Sequence, residues 1–170
     1  MWLPIAALLA TALAGVVTAA ETGPEAEARA TVERYFEAWN AADNEALREV
    51  IHLPHAFLVG AGGARIAESW DEIAVDFGAL RRTEGWSRST FDSAEATHVA
   101  PGQVHLELVF SRLDAEGRAY RTVPALWILT RRDGRWGVQV RSILGGPAGG
   151  VDEGGRQAAE AAAAAFFAAF

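Results

Sequence analysis

Apolar positions in the first part of the chain recur mostly at helical spacing, and from Trp86 onward they alternate with polar ones. Thr22-Gly23-Pro24-Glu25 reads as a helix start, with proline in the first turn and Glu25 and Glu27 complementing the helix dipole. Ala28, Val32, Tyr35, Phe36 and Trp39 then form one apolar stripe. Asp43 caps a second, short helix that holds Leu47, Val50 and Ile51 and is stopped by Pro54. His55 to Val59 predicts a short strand, turned by Gly60-Ala61-Gly62-Gly63 into another around Ile66. Ser69 and Glu72 make a capping box, which predicts a third helix with Ile73, Phe77 and Leu80 on one face and Gly85 just past its end.

The alternating part predicts strands over roughly 87–100, 103–113, 119–132 and 135–144. Pro101-Gly102, Asp114 to Gly117 and the two-residue Asp133-Gly134 supply the turns between them. Helices feeding an antiparallel meander make an α+β domain. Pro124 complicates one strand, because proline in a sheet implies an edge or a bulge, and a bulge swaps the faces of every residue after it.

An opening helix ending Tyr35-Phe36-Glu37-Ala38-Trp39-Asn40-Ala41-Ala42-Asp43 resembles the first helix of nuclear transport factor 2-like domains. Arg132-Asp133-Gly134-Arg135-Trp136-Gly137-Val138 resembles their last hairpin, and the matching element order runs from about Glu25 to Leu144. The SnoaL-like branch, which includes polyketide cyclases, is the most similar. The resemblance implies a cone-shaped α+β roll, in which a curved, mostly antiparallel sheet wraps the N-terminal helices and leaves an open end for an apolar small molecule. It also implies homodimers paired through the outer sheet face. It names no reaction, because the superfamily spans isomerases, dehydratases, cyclases and non-catalytic association domains.

The ends of the chain lie outside this pattern. Residues 1–20 carry no charged side chain; Ile5 to Val17 is apolar, and Thr18-Ala19-Ala20 places small residues just before Glu21. This predicts a cleavable signal peptide, and therefore an exported (periplasmic or extracellular) protein with a domain over 21–144. Residues 145–155 read as a Gly-rich linker, and 156–170 as an Ala-rich helix. Phe166-Phe167-Ala168-Ala169-Phe170 echoes Tyr35-Phe36-Glu37-Ala38-Trp39, as the truncated start of a second, similar domain would.

Composition narrows the chemistry. The 170 residues carry a net charge of −7 with a pI near 5.1, which excludes a nucleic-acid partner that needs a basic stripe. No basic amphipathic helix is present, so no membrane partner is expected once the signal peptide is removed. Cysteine and lysine are both absent, excluding disulfides, thiolate metal sites, thiol nucleophiles and Schiff-base chemistry. No cofactor is implied. Gly60 to Gly63 is not a phosphate loop, since a strand follows it, and there is no Gly-x-Ser-x-Gly elbow.

Candidate chemistry therefore rests on ionisable groups that turn inward. His55 is the candidate catalytic base, and His52, across Pro54 from it, a candidate pocket residue. Tyr35 and Trp39 lie on the buried helical stripe and Trp86 lies where the cone opens. Arg141 shares a strand face with Gln139 and Ile143, opposite Trp136, Val138 and Val140. That parity points it to solvent; turned inward, its fork would suit a carboxylate. His105 and Glu107 alternate with Val104, Leu106, Leu108 and Phe110, which predicts the outer face. The strand from Val123 to Leu129 is apolar on both faces, Trp127 included, so a second subunit is expected to cover its outer side. Three readings follow: an exported domain binding a small apolar molecule, a SnoaL-like lyase, isomerase or cyclase, and a dimeric association module.

Overall fold

The computed structural model describes residues 23–59, 63–143 and 153–168. The expected signal peptide and most of the expected linker lie outside these residues, as does the tip of the turn at Gly60 to Gly62.

Helix α1 spans Pro24–Ala41 and buries Ala28, Val32, Tyr35 and Phe36 along one side. It ends where Ala42 turns left-handed and its N–H reaches back to the carbonyls of Ala38 and Trp39. Helix α2, Asn44–Val50, starts at Asp43, whose carboxylate accepts the N–H groups of Glu45 and Ala46. Strand β1, Ile51–Val59, follows without a loop. Pro54 therefore does not stop the helix but lies inside the strand. It falls within a pairing irregularity between Ile51 and Ala56, where a missing ladder N–H is tolerated.

After strand β2, Ala64–Ala67, the Ser69–Glu72 capping box is present, but it opens only the short 3-10 turn Trp70–Glu72. The third helix does not continue from it. Asn44 explains the break: its side-chain amide donates to the Val75 carbonyl and accepts from the Val75 N–H, both at 3.0 Å. A helix through Val75 would need those same backbone groups. Helix α3, Phe77–Glu84, begins afresh at Asp76, whose carboxylate accepts the Ala79 N–H, and closes at Gly85 with φ 68°. Asp76 is thus a cap.

Strands β3 (Arg88–Ala100), β4 (Gln103–Leu113), β5 (Ala119–Arg132) and β6 (Arg135–Ile143) complete one six-stranded sheet in the order β2-β1-β6-β5-β4-β3. Among the described residues only β1 and β6 run parallel; the other neighbours are antiparallel, and β2 and β3 form the edges. Helix α1 packs on β3, β4 and β6, and the Trp136 indole N–H donates to Glu27 at 2.6 Å. The architecture is the expected α+β fold of N-terminal helices and a mostly antiparallel sheet, but the sheet is open and uncurled, not wrapped around the helices as a cone.

Side chains on β4 and β5 sort by parity. Val104, Leu106, Leu108 and Phe110 are buried with Val123, Ala125, Trp127 and Leu129 against the helices. His105 and Glu107 occupy the other face, alongside half-buried Pro124, Leu126 and Ile128.

Strand β6 departs from that regularity. Leu129 pairs with Val138, but Ile128 pairs with Val140, which leaves Gln139 as an extra, unpaired residue. Its side chain is held on three sides, accepting from Thr130 and Arg132 and donating to the Pro54 carbonyl. After this bulge the faces exchange, and Arg141 comes to lie opposite Trp127 on the helix side. The outward position expected from strict alternation is corrected accordingly.

Helix α4, Glu153–Ala168, starts inside the stretch expected to be linker, and its described side chains are all exposed. Among the described residues no helix is long and apolar enough to cross a membrane.

Candidate functional site

Arg141 is the centre of the site. Only 8% exposed, it donates from Nε to His55 Nε2 at 3.0 Å and from Nη1 to the Tyr35 hydroxyl. Aromatic faces surround the guanidinium: Phe57 at 4.8 Å, Tyr35 at 5.5 Å and Trp127 at 6.0 Å. Among the described residues, no carboxylate pairs with it, and its Nη2 group and one Nη1 hydrogen have no protein acceptor.

His55 is fully buried behind Arg141. Its Nδ1 lies 3.1 Å from the Val138 carbonyl, which can only accept, so Nδ1 carries the hydrogen and Nε2 the lone pair. Arg141 occupies that lone pair. Burial, reinforced by the Arg141 charge and partly offset by the Val138 bond, pushes the imidazole pKa down to about 3. His55 is therefore a neutral acceptor that fixes the guanidinium, and the proton-accepting atom a general base needs is already engaged. Tyr35 remains a phenol, since burial raises its pKa, while Arg141 and Arg112 pull it partway back.

These groups open onto a small cleft of about 30 Å³ between α1 and the sheet, walled by Tyr35, Trp39, Phe110 and Trp127, with Arg112 and Arg141 on its polar side. Tyr35 stacks on Trp39 at 5.8 Å and meets Trp127 edge-on at 4.8 Å. Arg112 pairs through Nη1 with Glu84 at the end of α3 and lies 6.0 Å above the Trp39 ring. Its Nε is buried without an acceptor, as are the indole nitrogens of Trp39 and Trp127.

Of the residues singled out from sequence, Tyr35, Trp39 and Arg141 meet at the cleft, and His55 supports it from behind. His52 does not join them. It is bonded through Nδ1 to Thr130 at 3.0 Å and packed over Gly137, with burial and the charges of Arg135 and Arg132 pushing its pKa down to about 4. Trp86 is also displaced. It is 2% exposed and donates to Ser89 at 3.0 Å, standing a layer behind Trp39 at 6.2 Å. Sequence reasoning missed Arg112 and the inward role of Trp127. Arg112 was visible in principle, because it continues the parity of Leu106, Leu108 and Phe110. Among the described residues no group of three or more His, Asp or Glu side chains could hold a metal ion.

The fold and this inward-facing cleft define a domain of the NTF2-like, cystatin-like kind. More specifically, the chain matches the model of the family described as NTF2-like protein (DUF6841) over residues 25–143, and it belongs to that family. Among solved structures it is similar to an NTF2-like protein with a cystatin-like fold from Novosphingobium aromaticivorans. That likeness has 15% identity and a TM-score of 0.61, covering 77% of this chain and 87% of the other. A protein of unknown function with a cystatin-like fold from Nostoc punctiforme gives 15% identity and a TM-score of 0.60, over 73% and 92% of the two chains. An uncharacterised cystatin-like protein from Caulobacter vibrioides gives 18% and 0.54, over 71% and 88%. At these identities the likeness carries fold alone. No curated protein matches the chain.

Proposed function

We propose that this is an exported domain that binds a small, largely apolar molecule in the cleft between α1 and the sheet, with Arg141 as its polar anchor. The observation that carries the reading is the convergence of Arg141 and Tyr35, locked by His55, on a cleft walled by aromatic rings. A concave apolar site with a few fixed polar groups is the usual form of a small-molecule site. The pattern of residues 1–20 supports export, and the two-sided apolarity of β5 supports a homodimer through the outer sheet face.

The same pair favours one second reading, a SnoaL-like lyase, isomerase or cyclase. A phenol and a guanidinium bonded to one another can together stabilise a developing oxyanion. In that case His55 orders Arg141, and the proton acceptor must be another group or the substrate itself.

The test is a thermal-shift screen of the full chain against small aromatic and polycyclic molecules, repeated with Arg141→Ala. A ligand that binds only the folded state raises the melting temperature by mass action. Hits abolished by the substitution are expected; a library without hits removes the pocket reading and leaves an association module. Any hit is then incubated with protein and followed for turnover, which separates binder from enzyme.

A further inference from the structure

Apart from Tyr35 and Ser89, whose hydroxyls also accept, the polar side chains that line the cleft can only donate. Arg141 presents its Nη2 group and an Nη1 hydrogen, and in the wall around it Arg112 Nε and the indole nitrogens of Trp39 and Trp127 are buried without an acceptor. All of these are donors, and neither guanidinium nor indole can accept. Four neighbouring side chains around one cleft each keep at least one donor without an acceptor, which packing does not explain, since buried polar groups are normally satisfied. Glu84 answers part of the Arg112 charge, but no described carboxylate answers Arg141. Resting on the reading of this cleft as a ligand site, we propose that its ligand is a monocarboxylate, with the carboxylate seated on Arg141 and the apolar remainder against Tyr35, Trp39 and Phe110.

Shape and size select this anion over others. A carboxylate is planar, offers two acceptor oxygens and matches the guanidinium fork. About 30 Å³ accommodates roughly two water-sized groups, which suits a carboxylate head. A tetrahedral phosphate or sulfate brings more oxygens than the cleft has room for, against walls that are mostly aromatic. The head alone fills that volume and the remainder must reach beyond it, so short aliphatic and arylacetic acids are the class to test. His55 acts here as a positioning residue, since it touches Arg141 and not the cleft.

The full chain would be titrated at constant ionic strength with acetate, benzoate and phenylacetate, with the corresponding amides, and with phosphate and sulfate. Melting temperature and tryptophan emission would be read together. The expected result is saturable stabilisation and an emission change by at least one acid, with its amide and the inorganic anions at least about tenfold weaker. Arg141→Lys keeps the charge but loses the fork, and it should weaken the acid about tenfold or more. Because the acid-against-amide comparison uses the unaltered protein, it decides the matter even if the variant fails to fold. Equal binding of acid and amide would overturn the carboxylate assignment while leaving a ligand site. Preference for phosphate or sulfate, or undiminished binding in Arg141→Lys, would overturn it as well. Binding of none of these compounds counts against the assignment, and the site itself falls only if the broader aromatic library also fails.

Discussion

His55 and His52 are both held neutral, and in each the leading cause is burial, with neighbouring arginine charge second. A base whose folded pKa lies below its unfolded value binds its proton first in the unfolded chain. Stability is therefore complete above the ordinary value of 6.5 and declines as pH falls, through about 4 for His52 and about 3 for His55. Together the two groups should remove on the order of a few kcal/mol across that window. Urea unfolding at pH 7 and pH 4.5 should show the loss, and His52→Asn should flatten it by its own share. An unchanged pH slope in that variant would refute the assignment. The ordering of causes is separately testable in Arg141→Met. Removing the second cause should raise the His55 pKa, read by NMR, yet leave it below 6.5 because burial persists.

At the scale of elements, the contact between β1 and β6 decides where the site residues face. Gly137 lies under the His52 ring so closely that a Cβ there would stand 2.6 Å from His52 Cδ2. Gly137→Ala should thus cost about 1–3 kcal/mol through overpacking. His52→Ala in the same chain should recover most of it, because the loss belongs to the pair. Chemical denaturation of the two single variants and the double variant measures this coupling, and additive losses would contradict it. Two residues further along comes the Gln139 bulge, and with it the limit of what the sequence reveals. Strand extents were legible from period and turn residues, as Asp133-Gly134 illustrates at the tip of the β5–β6 hairpin. The bulge was not, because its cause is tertiary: Gln139 is fixed by Thr130, Arg132 and Pro54, and Pro54 is remote in sequence. One unpaired residue then turns Arg141 from solvent to cleft. The third helix shows the same physics. Its capping box is locally sound, but Asn44 takes the backbone groups at Val75 that a continuous helix would use. Tyr35 and Trp39 could be found because a helical stripe is local, whereas their meeting with Arg141 and Arg112 depends on sheet register.

For the whole molecule, the side of the sheet away from α1 poses the remaining question. Pro124, Leu126 and Ile128 stand half-buried there, next to Val109 and Val140, and no described helix packs over them. A shallow groove of about 710 Å³ runs between β3 and β6, with Glu95 and Glu107 directly opposite one another across the β3–β4 pair. Like charges facing each other disfavour a dry contact at that point, yet they can remain solvated at the rim of an interface centred on β5. A second copy of the chain, packed sheet against sheet, would cover the apolar centre and leave the acids at the edge. Sedimentation at tens of micromolar should then report about twice the 18.1 kDa chain mass, and Leu126→Asp should shift it to monomer while leaving the melting of the core nearly unchanged. The cleft opens on the opposite side of the sheet, so Leu126→Asp should leave its ligand affinity unaltered. If the unaltered chain sediments as a monomer, the apolar face of β5 is simply solvent-exposed and the dimer is excluded. If the monomeric variant also loses ligand, pairing and binding are coupled through the shared strands β5 and β6, on which Trp127 and Arg141 face one way and Leu126 the other.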